Sequence, residues 1–304
     1  MGQALKPRAS LTFLVDEADE LSSNRLSSLG RVLKVKKPRQ PGTPFLKFIY
    51  RFILCTLQSF WILMRDRPDV VVSTGSNIAI PISIVGKVFG SRVANIEDSV
   101  RIFSSSKTSR YLDLISDLTL LQWPEQSALH ARKGRYVGLL LPDVTPSTRD
   151  GAIVISPGSF GFKELYDIAL KTDLKDVTMT IGDLNVSHYR KPGWLVVNRL
   201  TGLDQVLASA RVVVTHLGYT IWEALNYRVP VVIVPNPRWR RSAVHELERV
   251  ALFIQEKGYG VYLPLEGLTP EKLEESILRA SRINVPSMER GTEKAARLIL
   301  GEEK

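Results

Sequence analysis

The sequence predicts an α/β protein built from two doubly wound, parallel-sheet domains. Three observations carry this. Short runs rich in valine, isoleucine and leucine recur along the whole chain. Helix-period segments lie between most of them. One stretch rich in Pro, Ser, Thr and Asp interrupts the alternation near the middle. Near-continuous apolar strands need cover on both faces, and crossover helices supply it in parallel sheets.

In chain order the strand candidates are "LTFLV", "RVLKV", "DVVVS", "RVANI" and "LTLLQ" in the first half. "AIVIS", "VTMTI", "WLVVN", "RVVVT", "VVIVP" and "GVYLP" follow in the second. The pause is "LLLPDVTPSTRDGA", residues 139–152, whose turn-forming composition reads as a linker. Domains are expected at 1–143 and 149–304. A length of 304 residues suits two domains. Doubly wound sheets bind ligands outside the carboxyl ends of their strands, at the switch point. The two domains are expected to face each other across a cleft.

The net charge of +10 is uneven. Through residue 145 there are 20 Lys+Arg against 12 Asp+Glu; the remainder has 21 against 19. A basic first half points to an anionic partner. No homeodomain, zinc-finger or RNP-type motif speaks for nucleic acid. The lone Cys55 excludes an intrachain disulfide and a cysteine metal site. "MGQALKPRAS" carries no apolar signal region, so a cytoplasmic protein is expected. Self-association is left open.

The most informative stretch is "VVVTHLGYTIWEALNYRVPVVIVP", residues 212–235. It reads strand, short loop with Gly218, then helix over 220–227. Free backbone N–H groups and the positive end of the helix dipole make such a junction an anion site. Thr220 is placed to cap that helix. Glu223 follows one turn later, where a carboxylate suits a pair of ribose hydroxyls. A capped helix with a solvated Glu223 explains the same residues. A second junction, "AIVISPGSFGFKEL", repeats the pattern with Gly158 and Gly161, where backbone approaches a ligand closely. A third segment, residues 236–258, opens a helix with His245 and Glu246 after a basic loop.

These residues carry a resemblance. The second half resembles the donor domain of GT-B glycosyltransferases of the MurG type. It is more closely similar to the catalytic subunit of the eukaryotic enzyme that adds the second N-acetylglucosamine to dolichyl-diphosphate-GlcNAc, through "PGSFGFKEL", "THLGYTIWEAL" and "VHELERV". The first half resembles that enzyme's membrane-anchoring subunit, through "STGSN", "IEDSVR" and "LLQWPE". The chain looks like a fusion of the two.

The resemblance implies an inverting transfer from UDP-N-acetylglucosamine with no metal cofactor. Gly158, Ser159 and Phe160 would approach the diphosphate. His216, Gly218, Tyr219 and Thr220 would surround it. Glu223 would take the ribose, and His245 and Glu246 would face the sugar. The lipid-diphosphate acceptor would meet Gly75, Ser76, Asn77, Glu97 and Arg101.

The chain departs from the family in three places. The loop at 216 is one residue shorter between His and Glu. Glu246 replaces a common glutamine and only accepts hydrogen bonds when ionised. The family's first strand and Gly-Gly-His loop find no counterpart after Met1. The expected catalytic histidine would then lie upstream of Met1 or in another chain, and the catalytic residue is unknown. Without that central strand, "LTFLV" and "DVVVS" would lack their common neighbour. "DEADE", residues 16–20, reads as solvated loop carboxylates and not as a metal site.

"PFLKFIYRFILCTLQSFWILMRD" approaches the length of a membrane span. Lys47, Arg51 and Gln58 interrupt it, which favours a helix lying in the interface or packed on the core over a span; the interfacial form would have Phe52 and Trp61 among its apolar anchors and anionic lipid as partner. The expected protein is peripheral on the cytosolic face. Competing functions are a transferase for another sugar in exopolysaccharide synthesis, a non-hydrolysing UDP-GlcNAc 2-epimerase, and a non-catalytic scaffold for donor or lipid.

Overall fold

The computed structural model describes residues 1–304 except 41, 159, 160, 201, 238–243 and 304; the side chains of residues 21, 244 and 245 are also outside the description. The chain forms two compact units, Met1–Pro142 with Glu289–Lys304, and Asp143–Met288.

In the first unit the elements run α1 (Gly2–Leu5), β1 (Thr12–Asp16), α2 (Glu20–Ser27), β2 (Arg31–Val35), α3 (Phe45–Asp66), β3 (Val70–Ser73), α4 (Ala79–Val88), β4 (Arg92–Ile96), α5 (Lys107–Ile115), β5 (Leu118–Leu121) and β6 (Gly134–Tyr136). A 3-10 helix, Pro124–Leu129, lies between β5 and β6. The second unit holds β7 (Ile153–Ile155), α6 (Lys163–Ala169), β8 (Val177–Thr180), β9 (Trp194–Val197), α7 (Leu203–Leu207), β10 (Val212–Thr215), α8 (Tyr219–Asn226), β11 (Val231–Ile233), α9 (Val244–Glu256), β12 (Gly260–Tyr262) and α10 (Pro270–Ser281). The chain then returns α11 (Thr292–Leu300) to the first unit.

All strand pairs are parallel. The second unit has one six-stranded sheet, β12-β11-β10-β7-β8-β9. Counted from β7, that is the 3-2-1-4-5-6 order of a doubly wound fold, with its switch point between β7 and β10. Val212, Val213 and Val214 of β10 are each fully buried, as apolar side chains on both faces of a covered sheet must be.

The first unit has two sheets, β1-β2 and β3-β4-β5-β6. Among the described residues β1 pairs only with β2 and β3 only with β4. Leu14 of β1 packs on the cluster that contains Val71 of β3, without a ladder between the strands.

The second domain was expected to run to residue 304. Instead, Ala295, Ala296, Leu298 and Ile299 of α11 are buried with Ala94, Ile96, Leu118 and Leu120 of β4 and β5. Arg92 Nη1 donates to the Leu298 carbonyl at 3.0 Å, and Arg8 pairs with Glu293. Four apolar residues on one helical face find their cover in the first unit.

"DEADE" is a structural corner. Asp19 caps α2 through Ser22 N at 2.9 Å, and Glu20 pairs with Lys34.

Candidate functional site

In the second unit the two glycine-bearing junctions sit where the topology places a ligand. Gly158 follows β7 and His216 follows β10, the neighbours that flank the switch point. Hydroxyls stitch these strand ends together. Thr215 Oγ1 donates to the Ser156 carbonyl at 2.7 Å, and Thr180 Oγ1 donates to Ser156 Oγ at 2.8 Å. All three residues are buried.

His216 is 4% exposed and lies against both loops. A Cβ built on Gly158 would overlap His216 Nε2; one on Gly218 would stand 2.9 Å from His216 Cε1. Gly158 also holds a φ of +91°, a left-handed conformation that favours glycine. A side chain at either glycine would crowd the imidazole, so both serve to seat it and not only to let a ligand approach.

Helix α8 begins at Tyr219 with Gly218 as its N-cap. Thr220 is inside the first turn and does not cap, because the helix starts one residue earlier than the 220–227 expected. Tyr219 is 53% exposed, and Glu223 is half-buried one turn in. Gly158, His216, Gly218, Tyr219, Thr220 and Glu223 are thus gathered around one helix N-terminus. Ser159 and Phe160 lie outside the described residues, as does the His245 side chain. Glu246 is in the first turn of α9 and half-buried.

In the first unit, β3 leads through Gly75 (φ +89°) to α4. A Cβ on Gly75 would meet nothing within 4 Å, so this backbone lies open. Gly75 N donates to Ser73 Oγ at 3.2 Å, and the Ser76 carbonyl accepts from Ala79 N at 2.9 Å. Asn77 Nδ2 donates to the Arg39 carbonyl at 2.9 Å, tying this loop to the one after β2.

Glu97 was expected to meet an acceptor. It is 1% exposed instead, with its carboxylate engaged by the protein. Oε2 accepts from Ser105 Oγ at 2.9 Å and lies 2.8 Å from His130 Nε2; Oε1 accepts from Asp98 N at 2.9 Å. Burial works against the charged carboxylate. Hydrogen bonds from His130, Asp98, Ser109 and Ser105 outweigh it and hold the Glu97 pKa below its ordinary value.

The segment after Glu97 is held by side chains from "LLQWPE" and the Gln126 that follows it. Gln122 Nε2 donates to the Glu97 carbonyl at 2.7 Å, and Trp123 Nε1 to that of Ser99 at 3.0 Å. Gln126 Nε2 reaches the carbonyls of Asp98 at 2.9 Å and Arg101 at 3.0 Å. Arg101 is partly exposed, with Nη1 at 3.4 Å from Ser104 Oγ. Neither motif announces this clamp in the sequence. Side-chain amides aimed at loop carbonyls leave no periodicity to read.

Helix α3 has two faces. Cys55, Ser59 and Leu63 are buried. Leu46, Ile53, Leu57 and Trp61 are exposed by 80, 55, 53 and 63%. Lys47 is exposed and Arg51 half-buried, one turn apart beside the apolar stripe. Phe52 is half-buried and packs at a tilt against Phe48, with ring centroids 5.9 Å apart, so it is turned from that stripe. The helix is long and apolar enough to cross a membrane by length and composition.

Comparison with known proteins agrees with this architecture. The glycosyltransferase family 28 C-terminal domain matches residues 152–298, and the Alg14-like oligosaccharide biosynthesis protein family matches residues 8–140. A UDP-N-acetylglucosamine–N-acetylmuramyl-(pentapeptide) pyrophosphoryl-undecaprenol N-acetylglucosamine transferase of Prochlorococcus marinus is 23% identical over 83% of this chain and 74% of its own length. The human UDP-N-acetylglucosamine transferase subunit ALG14 is 23% identical over 41% of this chain and 66% of that protein.

Among solved structures, Acinetobacter baumannii MurG superposes with a TM-score of 0.70 at 14% identity, covering 98% of this chain and 93% of that one. A UDP-N-acetylglucosamine 2-epimerase from Listeria monocytogenes gives 0.64 at 13% identity, over 98% and 92%. At such identities the structures share the fold alone. With both halves matched in order, the chain is a GT-B glycosyltransferase of the MurG type, an Alg14-like domain followed by a glycosyltransferase family 28 C-terminal domain.

Proposed function

We propose that the chain transfers N-acetylglucosamine, with inversion, from UDP-N-acetylglucosamine to a polyprenyl (dolichyl)-diphosphate-linked sugar at the cytosolic face of a membrane. The observation that carries this is the pair of Gly loops joined by His216 at the switch point of the second unit. The names of the two relatives supply the sugar and the lipid-linked acceptor.

In the reaction an acceptor hydroxyl oxygen attacks the anomeric carbon on the face opposite UDP. The bond from that carbon to the β-phosphate oxygen breaks, UDP leaves with the electron pair, and the hydroxyl proton passes to a base. Negative charge grows on the departing diphosphate. The N-terminus of α8, beside His216, Gly218, Tyr219 and Thr220, offers N–H groups and a positive dipole end to that charge. Gly158, Ser159 and Phe160 complete the diphosphate side. Glu223 accepts from the ribose hydroxyls, and His245 and Glu246 face the sugar. No metal is required for donor binding in this reading. Gly75, Ser76, Asn77 and Arg101 serve the acceptor diphosphate, and the exposed stripe of α3 rests in the lipid interface with Lys47 and Arg51 toward anionic headgroups.

Calorimetry of UDP-N-acetylglucosamine in chelator, followed by transfer of labelled sugar to a detergent-solubilised polyprenyl-diphosphate-GlcNAc, tests the reading. Binding and a lengthened lipid-linked product are expected. Absolute metal dependence of binding would defeat the metal-free donor site. The epimerase reading shares the fold. It would show as free sugar-nucleotide isomerisation with no acceptor present.

A further inference from the structure

Deep in the first unit, one imidazole lies between two carboxylates. His130 is 1% exposed and its side chain has no solvent contact. Nε2 lies 2.8 Å from Glu97 Oε2 at the end of β4. Nδ1 lies 3.2 Å from Asp113 Oδ1 on α5, at ion-pair distance. The hydroxyl of Thr119, on β5, donates to the same Asp113 oxygen at 2.9 Å. Glu97 only accepts hydrogen bonds when ionised, so Nε2 carries a proton; Nδ1 makes no hydrogen bond, and Asp113 acts on it through charge, which favours a second proton there. The charged groups facing it are Glu97 and Asp113, and two carboxylates against one imidazolium leave the cluster net negative.

This cluster ends at the segment that Gln122, Trp123 and Gln126 grip by its carbonyls. Glu97 begins the segment and reaches its far end through Ser105. Removing the positive ring would leave a buried carboxylate at the root of the segment without its counter-charge, which is costly in a dry interior.

We propose that His130 is a positioning residue, whose charged ring, clamped between Glu97 and Asp113, fixes segment 97–106 in the form that presents Arg101 to a diphosphate-bearing acceptor. The part that concerns the acceptor rests on the transferase reading above. Glu97 then acts through the loop and does not touch the acceptor. Burial alone would lower the His130 pKa; the hydrogen bond to Glu97 and the attraction of Glu97 and Asp113 outweigh it and raise it.

The test combines two readouts that need no substrate with one that does. Side-chain 15N spectra of the whole protein should show His130 protonated on both nitrogens at pH 7. Glu97→Gln, nearly the same shape, should lower its titration. The same variant should speed amide exchange in residues 98–106 by about tenfold, as local opening becomes easier. It should cut kcat/KM for a polyprenyl-diphosphate-GlcNAc acceptor by about ten- to a hundredfold, the scale of a small misplacement, with UDP affinity kept within about twofold. Asp113→Asn, at the longer contact, should act in the same direction and more weakly, and it serves if Glu97→Gln fails to fold. A neutral His130 in the wild type at pH 7, or unchanged exchange in both variants, overturns the clamp. Unchanged acceptor kinetics in both variants of an active enzyme overturn its role toward the acceptor. A wild type that binds UDP and transfers nothing, with the ring charged and exchange responding, removes the transferase reading and leaves the clamp supported.

Discussion

The imidazole of His216 occupies the space that a side chain on Gly158 would need. The two residues belong to loops after neighbouring strands, so their fit couples the ends of β7 and β10. Gly158→Ala should therefore cost more than backbone strain. Gly193 has a similar positive φ of +76° but open space around it. Gly193→Ala should destabilise by about 1–3 kcal/mol through strain alone. Gly158→Ala should exceed that, and His216→Ala in the same chain should recover part of the excess. Urea unfolding of the single and double variants measures the coupling; strict additivity would show that the ring and the glycine do not share that space.

Glu223→Ala should weaken UDP binding by about 1–3 kcal/mol, the scale of hydrogen bonds to a charged group. The fold should survive, since Glu223 is half-buried while the core face of α8 is carried by Ile221, Trp222 and Leu225. Calorimetry with UDP is the measurement. Unchanged affinity would mean that the short spacing between His216 and Glu223 sets Glu223 away from the ribose.

Stability of the first unit should depend on pH through Glu97 and His130. The folded His130 pKa is raised above 6.5. Its contribution is complete below that value and is lost as pH rises through the raised one. The folded Glu97 pKa is lowered from 4.5, so its contribution is present above that value and lost as pH falls through the lowered one. The stability gap between wild type and His130→Gln should be widest between those unfolded values, near pH 5 to 6, and should narrow on the alkaline side. Urea midpoints across pH decide this; a gap that widens above pH 8 would contradict a charged ring.

Much of this arrangement was legible in the sequence. Valine-rich runs on both sides of "HLGY" specify a covered parallel strand and the turn after it, so β10, α8 and Glu223 followed from local pattern. Gly158 was legible as a residue needing freedom, but not as the seat for His216, because that contact joins residues 58 positions apart. β6 was missed because "GRY" has no apolar run and pairs at the sheet edge. α11 has an evident apolar face, yet which unit covers it is a tertiary choice. Glu97 illustrates the same limit. The resemblance made it an acceptor contact, and the histidine that engages it lies 33 positions along the chain.

Helix α3 leaves one apolar face exposed. Its exposed stripe continues onto α4, where Phe89 packs on Phe60 with ring centroids 5.4 Å apart and Val88 is 79% exposed. A contiguous apolar surface of this kind asks for cover, and a lipid interface gives it without burying Lys47 or Arg51. Each basic residue near an anionic surface contributes about 1 kcal/mol, lost as salt screens it. Lys47→Glu with Arg51→Glu should therefore release the protein from anionic vesicles at low salt while UDP binding in the second unit stays intact. Wild type should sediment with those vesicles, more weakly at high salt, and less with neutral ones. If wild-type protein stays in the supernatant at low salt, the stripe is covered by something other than lipid, and the lipid-linked acceptor loses its structural support.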